Sequence, residues 1–322
     1  MMCQTTPSGR LWPFSVPASG KSALAVHLAR LFDGEVVNFD SLQLYRGLDI
    51  GTAKTPLDER HGVPHHCLDL LDPADVFNAG AWAALARTLL AEITGRHRLP
   101  ILAGGTGFYL RALFDGLSDG PARSDEMRGR LMRRQQSRTG SLHRILARLD
   151  PPVAARIHPN DVNKTIRALE ICLLARQPAT ALFQQGKTAL RGYRALKLAL
   201  DPDRSALRER IALRSRRMFD LGLADEVRGL LERGVPHDAK AFESIGYRQA
   251  LALLDGRMTL EQAVEDTRIA TAQYAKRQCT WFRKEPGVLR LAGFGDDPAV
   301  AERAREAVTS LLESLQRQPE KH

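Results

Sequence analysis

One short segment carries residue types that can handle a phosphate, and two more, at Asp40 and Thr106, stand at turns where chemistry could be done. Ala18-Ser19-Gly20-Lys21-Ser22 matches the second half of the phosphate-binding pattern G-x-x-x-x-G-K-[ST]. In that chemistry backbone amides and a helix N-terminus surround a phosphate, the Lys21 ammonium adds a point charge, and the Ser22 hydroxyl ligates Mg²⁺. The full loop would take in Ser15, Val16, Pro17 and Ala18 through Ser22. Asp40 closes the short run Glu35–Phe39. Thr106 follows the Gly104-Gly105 pair. Each has a plainer reading. Gly-Lys-Ser is a common tripeptide, an Asp before Ser is often a turn, and a Thr after two glycines is often a helix cap.

The surrounding pattern says which elements must hold these residues. Residues 23–33 have apolar residues at helical spacing, and Glu35–Phe39 is a short β-branched run that predicts a buried strand ending at Asp40. Residues 79–95 predict a helix. Leu99–Ala103 predicts a strand, followed by the Gly-Gly turn and a helix from about Thr106. Strands alternating with helices imply a parallel sheet, whose ligands bind beyond the carboxyl ends of the strands. Asp40 and the Gly104–Thr106 turn both fall there. From about Ser118 the chain turns helical and Arg-rich, and a strand returns at Ala195–Leu200. Helices are predicted over 204–233, 243–255, 259–284 and 297–316. The expected fold is α/β, a P-loop NTPase-like parallel sheet core with a helical insertion domain. The core spans 1–118 and 191–322, and the insertion 119–190.

The front of the phosphate loop departs from its pattern. Ser15 stands where the first glycine belongs, and the approach reads Leu11-Trp12-Pro13-Phe14-Ser15-Val16-Pro17. Proline has no N–H to give a sheet ladder, so Pro13 argues against a central strand. The expectation is that residues 1–17 supply no first strand, as a reading-frame or start-site error would produce.

Composition bounds the partners. The 322 residues carry 47 Lys and Arg against 37 Asp and Glu, a net charge of +10. Only nine of the basic residues are lysine. A basic balance favours phosphate-bearing partners without proving one. A hydrophobic share of 43% excludes a largely disordered chain. No run approaches the roughly 18 apolar residues of a membrane span, and no secretory signal is visible, so a cytoplasmic protein is expected. Cys3, Cys67, Cys172 and Cys279 are far apart and form no CxxC pair. His65-His66 reads as a structural pair, since no third ligand stands at metal spacing.

Residues 40–54, Asp-Ser-Leu-Gln-Leu-Tyr-Arg-Gly-Leu-Asp-Ile-Gly-Thr-Ala-Lys, lie about twenty residues beyond the phosphate loop. Further motifs follow in order: Val63-Pro64-His65-His66 with Leu68-Asp69, Gly104-Gly105-Thr106 with Tyr109, and Ile157-His158-Pro159-Asn160-Asp161 with Arg167-Ala168-Leu169-Glu170. Gly246-Tyr247-Arg248-Gln249 and Lys276-Arg277-Gln278 with Thr280, Trp281 and Arg283 complete the set. This series resembles the bacterial tRNA dimethylallyltransferase (tRNA isopentenyltransferase) family over nearly the whole chain after residue 18.

The resemblance implies transfer of a dimethylallyl group from dimethylallyl diphosphate to N6 of adenosine 37 in tRNA. It implies a catalytic set of Asp40, Lys21 and Thr106, with the phosphate loop holding the donor's diphosphate and Mg²⁺ at Ser22. It implies tRNA contacts from Asp40, Ser41, Leu42, Gln43, Thr106, Arg128, Asn163, Lys164, Arg167, Gly246, Tyr247, Arg248, Lys276, Arg277, Gln278 and Arg283. Asp49–Lys54 would form a turn shaping the channel. Arg210 and Arg214, one helical turn apart, could reach the diphosphate. The partners are then a tRNA anticodon stem-loop and dimethylallyl diphosphate, with no membrane and a monomeric enzyme. Other readings are prenylation of free adenine nucleotides, a P-loop small-molecule kinase, or a tRNA-binding homologue impaired by its degenerate loop.

Overall fold

The computed structural model describes residues 8–15, 18–117, 120–184 and 188–317. They form two compact units, one from Met1–Leu110 with Arg191–His322 and one from Arg111–Leu190. In chain order the first unit opens with β1 (Ser8–Ser15), α1 (Lys21–Leu31), β2 (Gly34–Asn38), β3 (His65–His66), α2 (Ala79–Gly95) and β4 (Leu99–Ala103). Helix α3 (Gly107–Phe114) carries the chain into the second unit. That unit holds α4 (Asp125–Ser137), α5 (Ser141–Leu149), α6 (Pro151–Arg156), α7 (Val162–Ala175) and α8 (Ala179–Gln184). The chain returns with β5 (Tyr193–Leu200), α9 (Arg204–Asp220), α10 (Leu223–Glu232), α11 (Tyr247–Leu254), α12 (Leu260–Arg283), β6 (Val288–Leu291) and α13 (Pro298–Gln316).

The sheet order is β3-β2-β4-β1-β5-β6, and every pairing is parallel. β2 and β4 are buried along their whole length, and neither shows the alternation of a half-exposed strand. Leu24, Leu28, Val36, Ile101, Leu198 and Val300 join α1, the sheet and α13 in one core. From β1 the chain goes to β2, beyond β4 on one side, and later to β5 on the other. The strand order therefore reverses at β1, and such reversal points open the crevice where ligands bind.

The expected absence of a first strand is corrected. Ser8–Ser15 forms β1 in the middle of the sheet. It borders β5 from Ser8↔Tyr193 to Ser15↔Leu200, but among the described residues it meets β4 at one register pair, Leu11↔Ile101. Pro13 lies past that pair. Its missing N–H costs one bond on one side and does not end the strand. Two smaller differences follow from local chemistry. The helix expected over 204–233 breaks at Leu221, because Gly222 takes φ 94° and starts α10 anew. The short strands β3 and β6 lie outside the strands the pattern predicts.

The second unit has its own core of Leu142, Leu146, Val153, Ile166, Leu169 and Leu182. Asp150, 1% exposed, caps α6 through the Val153 amide and accepts bonds from the Thr180 amide and hydroxyl. Among the described residues no helix is long and apolar enough to cross a membrane.

Candidate active site

The carboxyl ends of β1, β2 and β4 bring the phosphate loop, Asp40 and the Gly104–Thr106 turn to one edge of the sheet. Gly20 caps α1 at φ 82° in the left-handed region, which leaves Lys21 and Ser22 in the helix's first turn. The first-turn amides there have no intrahelical partners and face outward, as an anion requires. Ser15 ends β1, while Val16 and Pro17 lie outside the described residues. A small cleft lies here, lined by Lys21, Ser22, Asn38, Gln43, His65 and Gly104 among others.

Lys21, Arg214 and Asp40 form one electrostatic group. Burial pulls the Lys21 ammonium below its ordinary pKa, the Asp40 charge pushes it back up, and the Arg214 charge adds to the fall. Arg214, on α9, is also held below its usual value by burial, with Asp40 opposing. Two cations thus converge on one carboxylate at the mouth of a phosphate loop. Burial and Asp40 together push the Tyr274 phenol up to about 12. Tyr109, stacked on Trp82 at 5.1 Å between ring centres, is also raised, chiefly by burial.

Asp40 is held from two sides. Its amide donates to Asn38 Oδ1 at 3.0 Å, and Asn38 Nδ2 donates to the Asp40 carbonyl at 3.1 Å. The Leu42 amide donates to Asp40 Oδ1 at 3.1 Å, which fixes how the carboxylate points. The Ser41 amide donates to Thr106 Oγ1 at 3.1 Å, and the Thr106 hydroxyl donates to Ser41 Oγ at 3.3 Å. Thr106 therefore joins the turn after β4 to the turn after β2. Gly104 allows that approach, since a Cβ there would lie 2.6 Å from the Phe39 carbonyl carbon. Gln278, on α12, reaches in from behind and donates to the Gly105 carbonyl at 2.6 Å.

The remaining predicted residues fall into distinct settings. Gln43 is 8% exposed, and its amide donates to the Thr52 and Ala53 carbonyls. Lys54, its side chain 3% exposed, bonds Asp49 and Asp69 at 2.6 Å each and the Tyr45 carbonyl at 2.9 Å. Tyr247 is fully buried and donates to Glu226, which also receives the Asp49 and Ile50 amides. The Gly246 amide donates to Gln249 Oε1, closing the start of α11, while Arg248 is exposed. Lys276, Arg277 and Arg283 are exposed along α12, with the Arg277 guanidinium 5.7 Å from the centre of the Tyr274 ring.

In the second unit Arg128 and Arg167 converge on Glu170, whose side chain is 0% exposed. Burial alone would push the Glu170 carboxyl up, but bonds from both arginines and the Ser124 amide hold it below its ordinary value. Asn163 and Lys164 are exposed at the start of α7, where Lys164 pairs with Asp161. His66 bonds Glu35 at 2.6 Å and His65 bonds the Val63 carbonyl at 2.9 Å. Among the described residues no three His, Cys, Asp or Glu side chains gather as a metal cage. Cys67, Cys172 and Cys279 are free thiols.

Comparison with known proteins settles the kinship. The sequence profile described as IPP transferase matches residues 43–285. The chain belongs to the IPP transferase family. It is 54% identical to the tRNA dimethylallyltransferase of Solibacter usitatus over 294 residues, covering 91% of this chain and 96% of that protein. It is 52% identical to the tRNA dimethylallyltransferase of Koribacter versatilis over 295 residues, covering 90% and 94%. Among solved structures, the full-length tRNA isopentenylpyrophosphate transferase of Bacillus halodurans superposes with a TM-score of 0.70 at 36% identity, covering 96% of this chain and 98% of that one. A eukaryotic dimethylallyltransferase acting on tRNA superposes with a TM-score of 0.82 at 27% identity, covering 95% and 80%.

Asp40 and Thr106 lie at the strand ends where the sequence pattern puts them, while Lys21 follows a strand, β1, that the pattern does not predict. The pattern does not single out Tyr274 or Asn38, whose roles depend on what folds against Asp40, and it offers Tyr109 only as part of a motif. For Tyr109 the sequence held a signal, since it falls one helical turn after Thr106.

Proposed function

We infer that the chain is a tRNA dimethylallyltransferase. It moves a dimethylallyl group from dimethylallyl diphosphate to N6 of adenosine 37 in tRNA and releases diphosphate. The observation that carries this reading is the meeting of the phosphate loop, Asp40 and the Gly104–Thr106 turn at the carboxyl ends of β1, β2 and β4, in a chain 54% identical over 91% of its length to a tRNA dimethylallyltransferase.

The donor's diphosphate sits on the phosphate loop. Lys21 and Arg214 offset the charge that develops on it as the allylic carbon–oxygen bond weakens. The allylic carbon becomes electron-poor, and adenosine N6 attacks it. The new nitrogen–carbon bond forms as the carbon–oxygen bond breaks, and the surplus N6 proton passes to Asp40. The hydrogen bond from Leu42 aims the carboxylate for that transfer, and Thr106 keeps its turn in place. The described residues include no carboxylate cage, so Mg²⁺ would be held by the Ser22 hydroxyl and the diphosphate itself. When bound, the ion neutralises charge on the leaving group.

For tRNA we assign direct contact to Asp40, Ser41, Leu42 and Thr106 at the reacting base. Arg128, Asn163, Lys164, Arg167, Arg248, Lys276, Arg277 and Arg283 supply side chains for the backbone. Gln43, Gly246, Tyr247 and Gln278 are buried or committed to backbone partners and shape the loops that make contact. Extruding the base into the site fits a reaction at an exocyclic amine that stacking would otherwise shield. The reading is of a monomer, and a tRNA substrate supports work in the cytoplasm.

Labelled dimethylallyl diphosphate offered with tRNA or with AMP tests the reading. Magnesium-dependent label in tRNA and none in AMP is expected. Label in AMP alone would establish a nucleotide prenyltransferase, and ATP-dependent phosphoryl transfer with no prenylation would establish a kinase.

A further inference from the structure

The loop between β6 and α13 lies against the phosphate loop. The Gly295 amide donates to the Ser19 carbonyl at 2.8 Å. The two backbones touch: a Cβ on Gly20 would lie 2.6 Å from Asp296 Oδ1 and 2.9 Å from the Gly295 nitrogen, and one on Gly295 would strike the Gly20 carbonyl. This approach lodges a carboxylate beside a loop built to hold an anion. Left alone, that charge would repel the donor's diphosphate. Arg210, on α9, answers it. Its guanidinium meets Asp296 two-pronged, Nη1 to Oδ1 at 2.8 Å and Nη2 to Oδ2. The same guanidinium lies 4.4 Å from the centre of the Phe294 ring. Phe294 in turn packs on Ala18, Leu207, Ile211 and Ala275. The pair is half exposed, so its worth to overall stability is small. Its position is what counts.

We propose that Arg210 is a positioning residue for donor binding that acts through Asp296: it cancels the carboxylate lodged against Gly20 and holds the 293–297 loop on the phosphate loop. Arg214, four residues on, faces the Lys21–Asp40 group, so the two arginines of one helix serve different partners. The inference rests on the reading that this phosphate loop binds the donor's diphosphate. Arg210 holds the Asp296 carboxyl below its ordinary range.

The test is titration calorimetry of the full chain with inorganic diphosphate and Mg²⁺, with donor KM and tRNA Kd measured alongside. Arg210→Met leaves the carboxylate uncompensated and is expected to weaken diphosphate binding about tenfold, less at high salt, with tRNA Kd unchanged. Asp296→Asn alone is expected to bind as well as the wild type or better. Adding Asp296→Asn to Arg210→Met is expected to restore most of the lost affinity. Three results overturn the proposal. An Arg210→Met loss that Asp296→Asn does not repair means the guanidinium touches diphosphate directly. Equal losses in both single variants mean a merely structural pair. An unchanged affinity in Arg210→Met means no role. If the wild-type chain binds no diphosphate, or binds it as well after Lys21→Met, the underlying reading fails, and this inference with it.

Discussion

Thr106→Val isolates what the hydroxyl at the end of β4 contributes, because valine keeps the shape and removes the oxygen. Thr106 Oγ1 accepts the Ser41 amide at 3.1 Å and donates to Ser41 Oγ at 3.3 Å. Ser41 is half-buried, so its amide, once orphaned, recovers only part of its hydration. The unpaired amide costs about 1–2 kcal/mol and the longer hydroxyl bond about 0.5 kcal/mol. Ser41 adjoins Asp40, so the loss falls on the turn that aims the base. If it is felt fully at the transition state, about 1.5–2.5 kcal/mol slows transfer roughly 10- to 70-fold, at 1.36 kcal/mol per factor of ten. Single-turnover transfer from labelled donor to tRNA, at saturating concentrations of both, measures this directly. Thr106→Ser retains the oxygen and should stay within about threefold of the wild type. A Thr106→Val rate within twofold of the wild type, or a Thr106→Ser rate as low as that of Thr106→Val, would refute the reasoning.

Three further perturbations follow from the geometry. The Lys21 ammonium has a lowered pKa, so its charge is lost as pH rises through that value, and diphosphate affinity should fall there, below the pH expected of an ordinary lysine. Asp40 raises that pKa, so Asp40→Asn should move the fall to lower pH and Arg214→Gln to higher pH; calorimetry across pH showing one common midpoint would disprove the coupling. Lys54→Met leaves Asp49 and Asp69 facing each other without their cation. Breaking such a pair costs about 3–5 kcal/mol when fully buried. Here the acids are 58% and 44% exposed and can rehydrate, so urea unfolding should show a loss of about 1–3 kcal/mol. Removing Lys276 and Arg277 together should weaken tRNA binding most at low salt and flatten the dependence of log Kd on log salt by about 1–2. An unchanged slope in filter binding would take both off the phosphate backbone.

Much of this site was readable because its parts are local. A loop, a strand end and a Gly-Gly turn each announce themselves within five residues, and the Val36–Val37 pair of β2 and the Leu99–Ala103 run of β4 mark strands buried on both faces. What escaped is what depends on distant packing. β1 is hidden by Pro13, whose cost falls on one side of the strand. That the Gln43 Nε2 meets the Thr52 and Ala53 carbonyls while the residue also lines the cleft is equally hidden from local pattern. Arg210 and Arg214 are equivalent by helical spacing, and only the fold shows one facing Asp296 and the other facing the Asp40–Lys21 group. No local pattern links Gly295 to Ser19 across the length of the chain.

The central claim is that this polypeptide alkylates one adenine amine in tRNA, with Asp40 taking the proton. The most direct measurement is nucleoside analysis of tRNA after incubation with dimethylallyl diphosphate, for the wild type and for Asp40→Asn. The account predicts N6-dimethylallyladenosine at position 37 with the wild type. With Asp40→Asn it predicts a rate lower by at least about 100-fold, from loss of the general base, and little change in tRNA Kd. A wild-type chain that leaves adenosine 37 unmodified, or an Asp40→Asn variant that modifies it at the wild-type rate, would contradict it.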